Sequence, residues 1–141
     1  MTTIVYKDGI IAYDSFQTRG DIITDDNCNK LHIVNGIKFL LTGSVCDYPE
    51  FLSIAIGESQ PRDGFELDVE GLMVKGGKLY NCAIQDEFWQ TLIKREDIYA
   101  IGSGRNFAYT AMDCGLSARD AVKMAIKRDL YSGGRIRTIK L

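Results

Sequence analysis

The sequence predicts an α+β fold, on three observations. Helices and strands are segregated: strands come first, then one short helix, more strands, two helices and a last strand, which is not the βαβ rhythm of a parallel sheet. Hairpin-type turns, Asp8-Gly9, Asn35-Gly36 and Lys75-Gly76-Gly77-Lys78, join short β-rich runs. Near the end, Ala118, Ala121, Val122, Ala125 and Ile126 recur at helical spacing and mark one apolar stripe.

Taken in order, Thr3-Ile4-Val5-Tyr6 and Ile10-Ile11-Ala12-Tyr13 read as a hairpin across Lys7-Asp8-Gly9, which pins the beginning of the chain into a sheet. Ser15 to Asn27 is mostly polar and reads as loop. Lys30 to Val34 and Ile37 to Leu41 flank Asn35-Gly36 as a second hairpin, and Pro49 to Ile56 is a short helix. Gln60 to Gly64 is loop, and Phe65 to Gln85 is again strand, broken by the glycine turn at 76–77. Ile98 to Ile101 is a strand closed by Gly102-Ser103-Gly104. A helix over Arg105 to Asp113 stops at Cys114-Gly115. Ser117 N-caps the next, with Asp120 at the capping-box position, and that helix is predicted to run to about Tyr131. Arg135 to Leu141 is a final strand. No repeat, low-complexity tract or linker interrupts residues 1–141, so a single domain is expected.

Composition narrows the function. The chain has 141 residues, 45% hydrophobic and 26% charged, enough for a core without staples. A net charge of -2 argues against a nucleic-acid partner, which needs a basic footprint. No apolar run reaches the roughly 20 residues of a membrane span. Cys28, Cys46, Cys82 and Cys114 form no CxxC pair, and His32 is the one histidine. A zinc site is therefore not expected, no cofactor is called for, and reduced thiols in a cytoplasmic protein are. Lys7 and Asp8 within the first ten residues do not suit a signal peptide, which leaves methionine removal as the expected processing.

Six segments, in order, carry a resemblance: Met1-Thr2-Thr3-Ile4-Val5, Asp14-Ser15-Phe16-Gln17-Thr18, Asn29-Lys30-Leu31, Leu41-Thr42-Gly43-Ser44-Val45-Cys46-Asp47, Ile101-Gly102-Ser103-Gly104 and Arg128-Asp129-Leu130-Tyr131-Ser132-Gly133-Gly134. Together they resemble the proteasome β-subunit and HslV-type N-terminal-nucleophile hydrolases, over Met1 to Asp47 and Ile98 to Leu141. The resemblance implies a four-layer αββα sandwich. It departs between Asp47 and Ile98, where the family fits two long helices and a strand pair. There is room here for one short helix and strands, so one helix is expected to be missing.

The resemblance also implies the chemistry of a threonine-type peptidase. A threonine hydroxyl needs an adjacent base, and a freed N-terminal amine, with a pKa of about 7.7–8.0, supplies one on the same residue. Met1 must leave first, because an acylated nitrogen has no basic lone pair. Lys30 would stabilise negative charge on the Thr2 oxygen and Asp14 would hold Lys30 charged; read alone, these are also an ordinary strand lysine and turn aspartate. The Gly43 N–H would form the oxyanion hole. Ser103, Asp129 and Ser132 would orient the Thr2 amine, although Asp129 and Ser132 also read as a helix end before Gly-Gly.

Thr18 matches a position whose backbone pairs with an extended substrate. With strand period two, Cys28, Lys30 and His32 share a face if the strand begins that early, and Leu41 and Val45 would form the opposite, apolar wall of a substrate pocket. His32 reads equally as a core histidine. Peptides or unfolded proteins are the expected substrates, and further copies of the chain and an ATP-dependent unfoldase the expected partners. A small-amide hydrolase, or a catalytically silent assembly subunit, are the alternatives. As a chain-end residue, Thr2 is expected to be replaceable with little effect on folding.

Overall fold

A computed structural model describes residues 2–64 and 66–141, so Met1 and Phe65, the first residue of the strand segment expected to start there, lie outside the described residues. The described residues fall into two compact units. One holds those up to Lys30 together with Lys94–Leu141, and the other Leu31–Ile93.

The first unit is built on an antiparallel sheet of β1 (Thr3–Lys7), β2 (Ile10–Tyr13), β10 (Tyr99–Gly102) and β11 (Arg137–Lys140), in the order β10-β1-β2-β11. The β1–β2 hairpin turns through Asp8 and Gly9, both at positive φ, as the Asp-Gly signal predicts. Two helices, α2 (Arg105–Asp113) and α3 (Ala118–Arg128), cover the sheet. The predicted stripe supplies the contact: Ala118, Ala121, Val122 and Ala125 pack with Ala108 and Met112 against Val5, Ala12 and Ala100. Small side chains on both sides let helix and strand approach closely. The Ser117 hydroxyl accepts the Asp120 N–H and starts α3 as expected.

Two expectations change here. The helix ends at Arg128 and not near Tyr131, because Asp129 takes an extended backbone and its carboxylate accepts the Tyr131 N–H and the Ser132 hydroxyl. Ser15 to Asn27 is not simply loop. It contains a two-stranded hairpin, β3 (Gln17–Arg19) and β4 (Ile22–Asp25), turning at Gly20-Asp21. Strand β4 is exposed throughout and β3 holds no fully buried residue, so no apolar alternation announces them. A Thr24 hydroxyl bond to the Gln17 carbonyl holds the pair, and the Tyr131 hydroxyl donates to Asp21 at its tip.

The second unit is a five-stranded antiparallel meander, β5 (Leu31–Val34), β6 (Ile37–Gly43), β7 (Glu66–Lys75), β8 (Lys78–Gln85) and β9 (Glu87–Ile93). A short 3-10 turn (Val45–Asp47) leads into α1 (Tyr48–Ala55), with Pro49 at its start. Phe51 and Ile54 of α1 pack on Phe39, Leu41, Val69, Met73, Cys82 and Ile84. Strand β9 was not expected: Asp86, at positive φ, turns the chain within one residue, where no glycine marks the turn. Its Phe88, Trp89, Thr91 and Ile93 are strand formers that could have signalled it. Between Asp47 and Ile98 the described residues hold only α1, β7, β8 and β9, so the fold is short of one helix, as the length of that stretch predicts.

Candidate active site

The first unit gathers Thr2, Asp14, Lys30, Ser103, Asp129 and Ser132. Strand β1 brings in Thr2 and Thr3, and Asp14 follows directly from β2. Lys30 ends the segment after the β3–β4 hairpin, Ser103 follows β10, and Asp129 and Ser132 follow α3.

Asp14 is fully buried and every contact on it is a donor. Its Oδ1 accepts from the Thr3 N–H at 3.1 Å, from the Lys30 ammonium at 2.5 Å and from the Thr2 hydroxyl. Its Oδ2 accepts from the Gly133 N–H at 2.9 Å and the Phe16 N–H at 3.3 Å. A buried carboxylate with this many donors has its desolvation offset and is fixed in place. Lys30 is buried with it and donates to the Thr2 Oγ as well. The Thr2 hydroxyl is thus oriented by both, its proton toward the carboxylate and its lone pair toward the ammonium. Burial lowers the Lys30 pKa, with Asp14, Cys28 and Asp129 opposing the shift.

A second network lies beside the first. The Asp129 carboxylate accepts the Ser103 and Ser132 hydroxyls, each at 2.6 Å. Ser132 Oγ also lies 2.6 Å from Thr3 Oγ, and Ser103 Oγ 3.3 Å from the Thr2 carbonyl. Because Ser132 spends its one proton on the carboxylate, Thr3 is the donor in their bond. Thr3 was missed from the sequence, where it looks like an ordinary strand residue. Gly102 and Gly104 explain the Gly-Ser-Gly turn. A Cβ at Gly102, where φ is +95°, would fall on the Thr2 carbonyl oxygen, and one at Gly104 on the Thr3 hydroxyl.

The remaining expected site residues distribute differently. Cys28 and Lys30 precede β5, which starts at Leu31, so the shared strand face with His32 does not exist. Cys28 Sγ reaches Gln17 Oε1 at 3.5 Å, and burial pushes its thiol pKa up. Thr18 sits in β3 opposite Ile23. In the second unit His32 stacks edge-on with Tyr48, ring centroids 5.7 Å apart, and burial lowers its pKa. Leu41, expected in a pocket wall, is buried in the core under α1, on the face of β6 that packs on the helix. Val45 is exposed. Gly43 has φ +121°, and a Cβ there would strike the Asp68 carbonyl, so packing alone already demands glycine.

Comparison of this architecture with solved structures finds neighbours that match nearly end to end. Eukaryotic HslV from Trypanosoma brucei superposes with a TM-score of 0.72 at 18% identity, covering 99% of this chain and 99% of that one. BPH from Thiobacillus denitrificans, in complex with epoxomicin, gives 0.69 at 19% identity over 99% of this chain and 97% of that one. The chain has an HslV-type fold. A further structure of BPH agrees, with a TM-score of 0.67. No protein-family model matches the sequence, and no curated protein does. The HslV-type fold is therefore recognised through the path of the backbone. Among the described residues no helix is long and apolar enough to cross a membrane.

Proposed function

We propose that this HslV-type chain is a threonine peptidase in which Thr2, freed of Met1, is the nucleophile. One observation carries the reading: a buried threonine hydroxyl held between an ion-paired lysine and its aspartate. An ordinary structural threonine has no need of a buried ammonium on its oxygen, and burying that charge costs several kcal/mol unless it is compensated.

In the reaction, the Thr2 hydroxyl turns its proton from Asp14 to the Thr2 amine, which takes it as Oγ attacks a peptide carbonyl. The tetrahedral intermediate collapses to a Thr2 ester, and the proton passes from the ammonium to the departing amine. Water, deprotonated by the same amine, then hydrolyses the ester and restores Thr2. Lys30 stabilises the negative charge that develops on the threonine oxygen during attack. Asp14 keeps Lys30 in position, and the Asp129–Ser132–Ser103 network holds the chain start in register. Peptides are the substrate class, and assembly with further copies of the chain belongs to the same reading.

Intact-mass spectrometry of the protein from its native cell, before and after epoxomicin, the compound in the BPH complex, tests the proposal. The expected result is loss of one methionine and a single adduct mapping to Thr2, with peptide hydrolysis lost in parallel. A chain that keeps Met1, takes no adduct and hydrolyses no peptide is a silent assembly subunit.

A further inference from the structure

Lys30 lies in a stretch without regular structure, after β4 and before β5. A long side chain on irregular backbone loses its aim unless that backbone is tied down. The tie comes from the last strand. Arg137 of β11 pairs in register with Tyr13 of β2 and extends its guanidinium over the segments on either side of the Thr2–Asp14–Lys30 cluster. One terminal nitrogen donates to Ser15 Oγ at 2.5 Å and to the Cys28 carbonyl at 3.1 Å. The other donates to the Asn27 carbonyl at 3.3 Å and to Asn27 Oδ1 at 2.9 Å. Ser15 passes its own proton to the Arg135 carbonyl, and its carbonyl accepts the Cys28 N–H at 3.0 Å. Tyr13 adds a bond from its hydroxyl to Asn29 Oδ1 at 3.1 Å. The residue after Asp14 and the residues before Lys30 are therefore gripped by one planar fork.

We propose that Arg137 is a positioning residue for the reaction: by fastening Ser15, Asn27 and Cys28 to β11 it sets the distance from Lys30 to Asp14 and Thr2. This rests on the peptidase reading for its catalytic consequence, but the positioning itself concerns Lys30 and is measurable without turnover. The fork geometry is what the site uses. A lysine at 137 keeps the charge but offers one point donor, which cannot span acceptors on two segments.

The test uses the full chain with Met1 removed, labelled with carbon-13 at lysine Cε, as wild type and as Arg137→Met, Arg137→Lys and Asn27→Ala. The charged groups around Lys30 are Asp14 and Asp129, with the Cys28 thiol beside them, and all three remain in every variant. In R137M and R137K the Lys30 resonance is expected to move toward that of an exposed lysine, and kcat to fall about 10- to 100-fold with KM nearly unchanged, the size of effect a misplacement of about 1 Å produces. Asn27→Ala, on an exposed residue, removes one bond of the fork and is expected to give a smaller change in the same direction.

Folded variants whose Lys30 resonance and titration match wild type overturn the proposal, as does R137K restoring full activity. If R137M does not fold, R137K and Asn27→Ala decide the matter in the same way. A wild type that hydrolyses no peptide while R137M still shifts the Lys30 resonance leaves Arg137 as the positioning residue and removes the peptidase reading alone.

Discussion

Thr2 is 2% exposed and its hydroxyl has two partners, so it is a structural residue as well as the proposed nucleophile. This revises the expectation for a chain-end threonine. Thr2→Ala is expected to abolish peptide hydrolysis and also to cost about 1–3 kcal/mol, since it leaves the buried ammonium and carboxylate each one partner short. Chemical denaturation beside a peptidase assay separates the two effects. Lys30 supplies a second residue-scale prediction. Burial lowers its pKa, so the ammonium that the mechanism needs is lost before an ordinary lysine would deprotonate. The alkaline limb of kcat/KM is therefore expected below the usual lysine value of about 10.4, and a limb at or above that value contradicts the assigned role. The sequence supplied the identities of Thr2, Asp14 and Lys30. It did not supply Thr3, whose part in the second network depends on Ser132 arriving from 129 residues away.

At the scale of elements, short loops closed by glycine carry the site. The Gly102-Ser103-Gly104 turn lets β1 lie against it with no side chain intervening. Gly102→Ala would force a Cβ onto the Thr2 carbonyl at a φ that L-residues rarely adopt. It is expected to displace Thr2 and remove activity with a stability loss of several kcal/mol, measurable by thermal unfolding. Helix α3 is a cleaner case. Its cap, Ser117, is exposed and remote in sequence from Thr2, so Ser117→Ala is expected to cost about 1 kcal/mol and leave the kcat of the folded protein unchanged. Hairpins with Asp-Gly or Asn-Gly turns were legible because positive φ at both turn positions selects those residues. The β3–β4 hairpin and β9 were not, since exposed strands need no apolar alternation and Asp86 turns the chain without a glycine.

Across the whole molecule, pH acts through buried groups in both units. Cys82 is buried among Phe51, Met73 and Ile84, and its thiol is pushed up to about 12 by burial, with Glu70 adding to the shift. The unfolded chain ionises this thiol at a lower pH than the fold does, so it binds fewer protons there. Stability is then complete below the unfolded value and falls as pH rises toward 12. Burial raises the Tyr13 phenol in the same sense, whereas the lowered Lys30 pKa works the other way, adding stability as pH rises toward the ordinary lysine value. The Cys82 contribution alone is an alkaline destabilisation of a few kcal/mol between about pH 9 and 12. Denaturant melts across that range check it, and Cys82→Ala should flatten the profile while lowering stability at neutral pH.

Sequence alone settled the order of most elements, the hairpin turns and the helical stripe. These follow from backbone preference, local periodicity and motif spacing, which act over a few residues at a time. Folding settled the rest. Leu41, read as a pocket wall, went into the core because β6 turns that face toward α1. Arg137, unremarked in the sequence, gained its place because β11 pairs with β2 and carries the guanidinium to residues more than a hundred positions earlier. Which face a strand buries and which distant segments it joins depend on long-range pairing, and no local pattern encodes that.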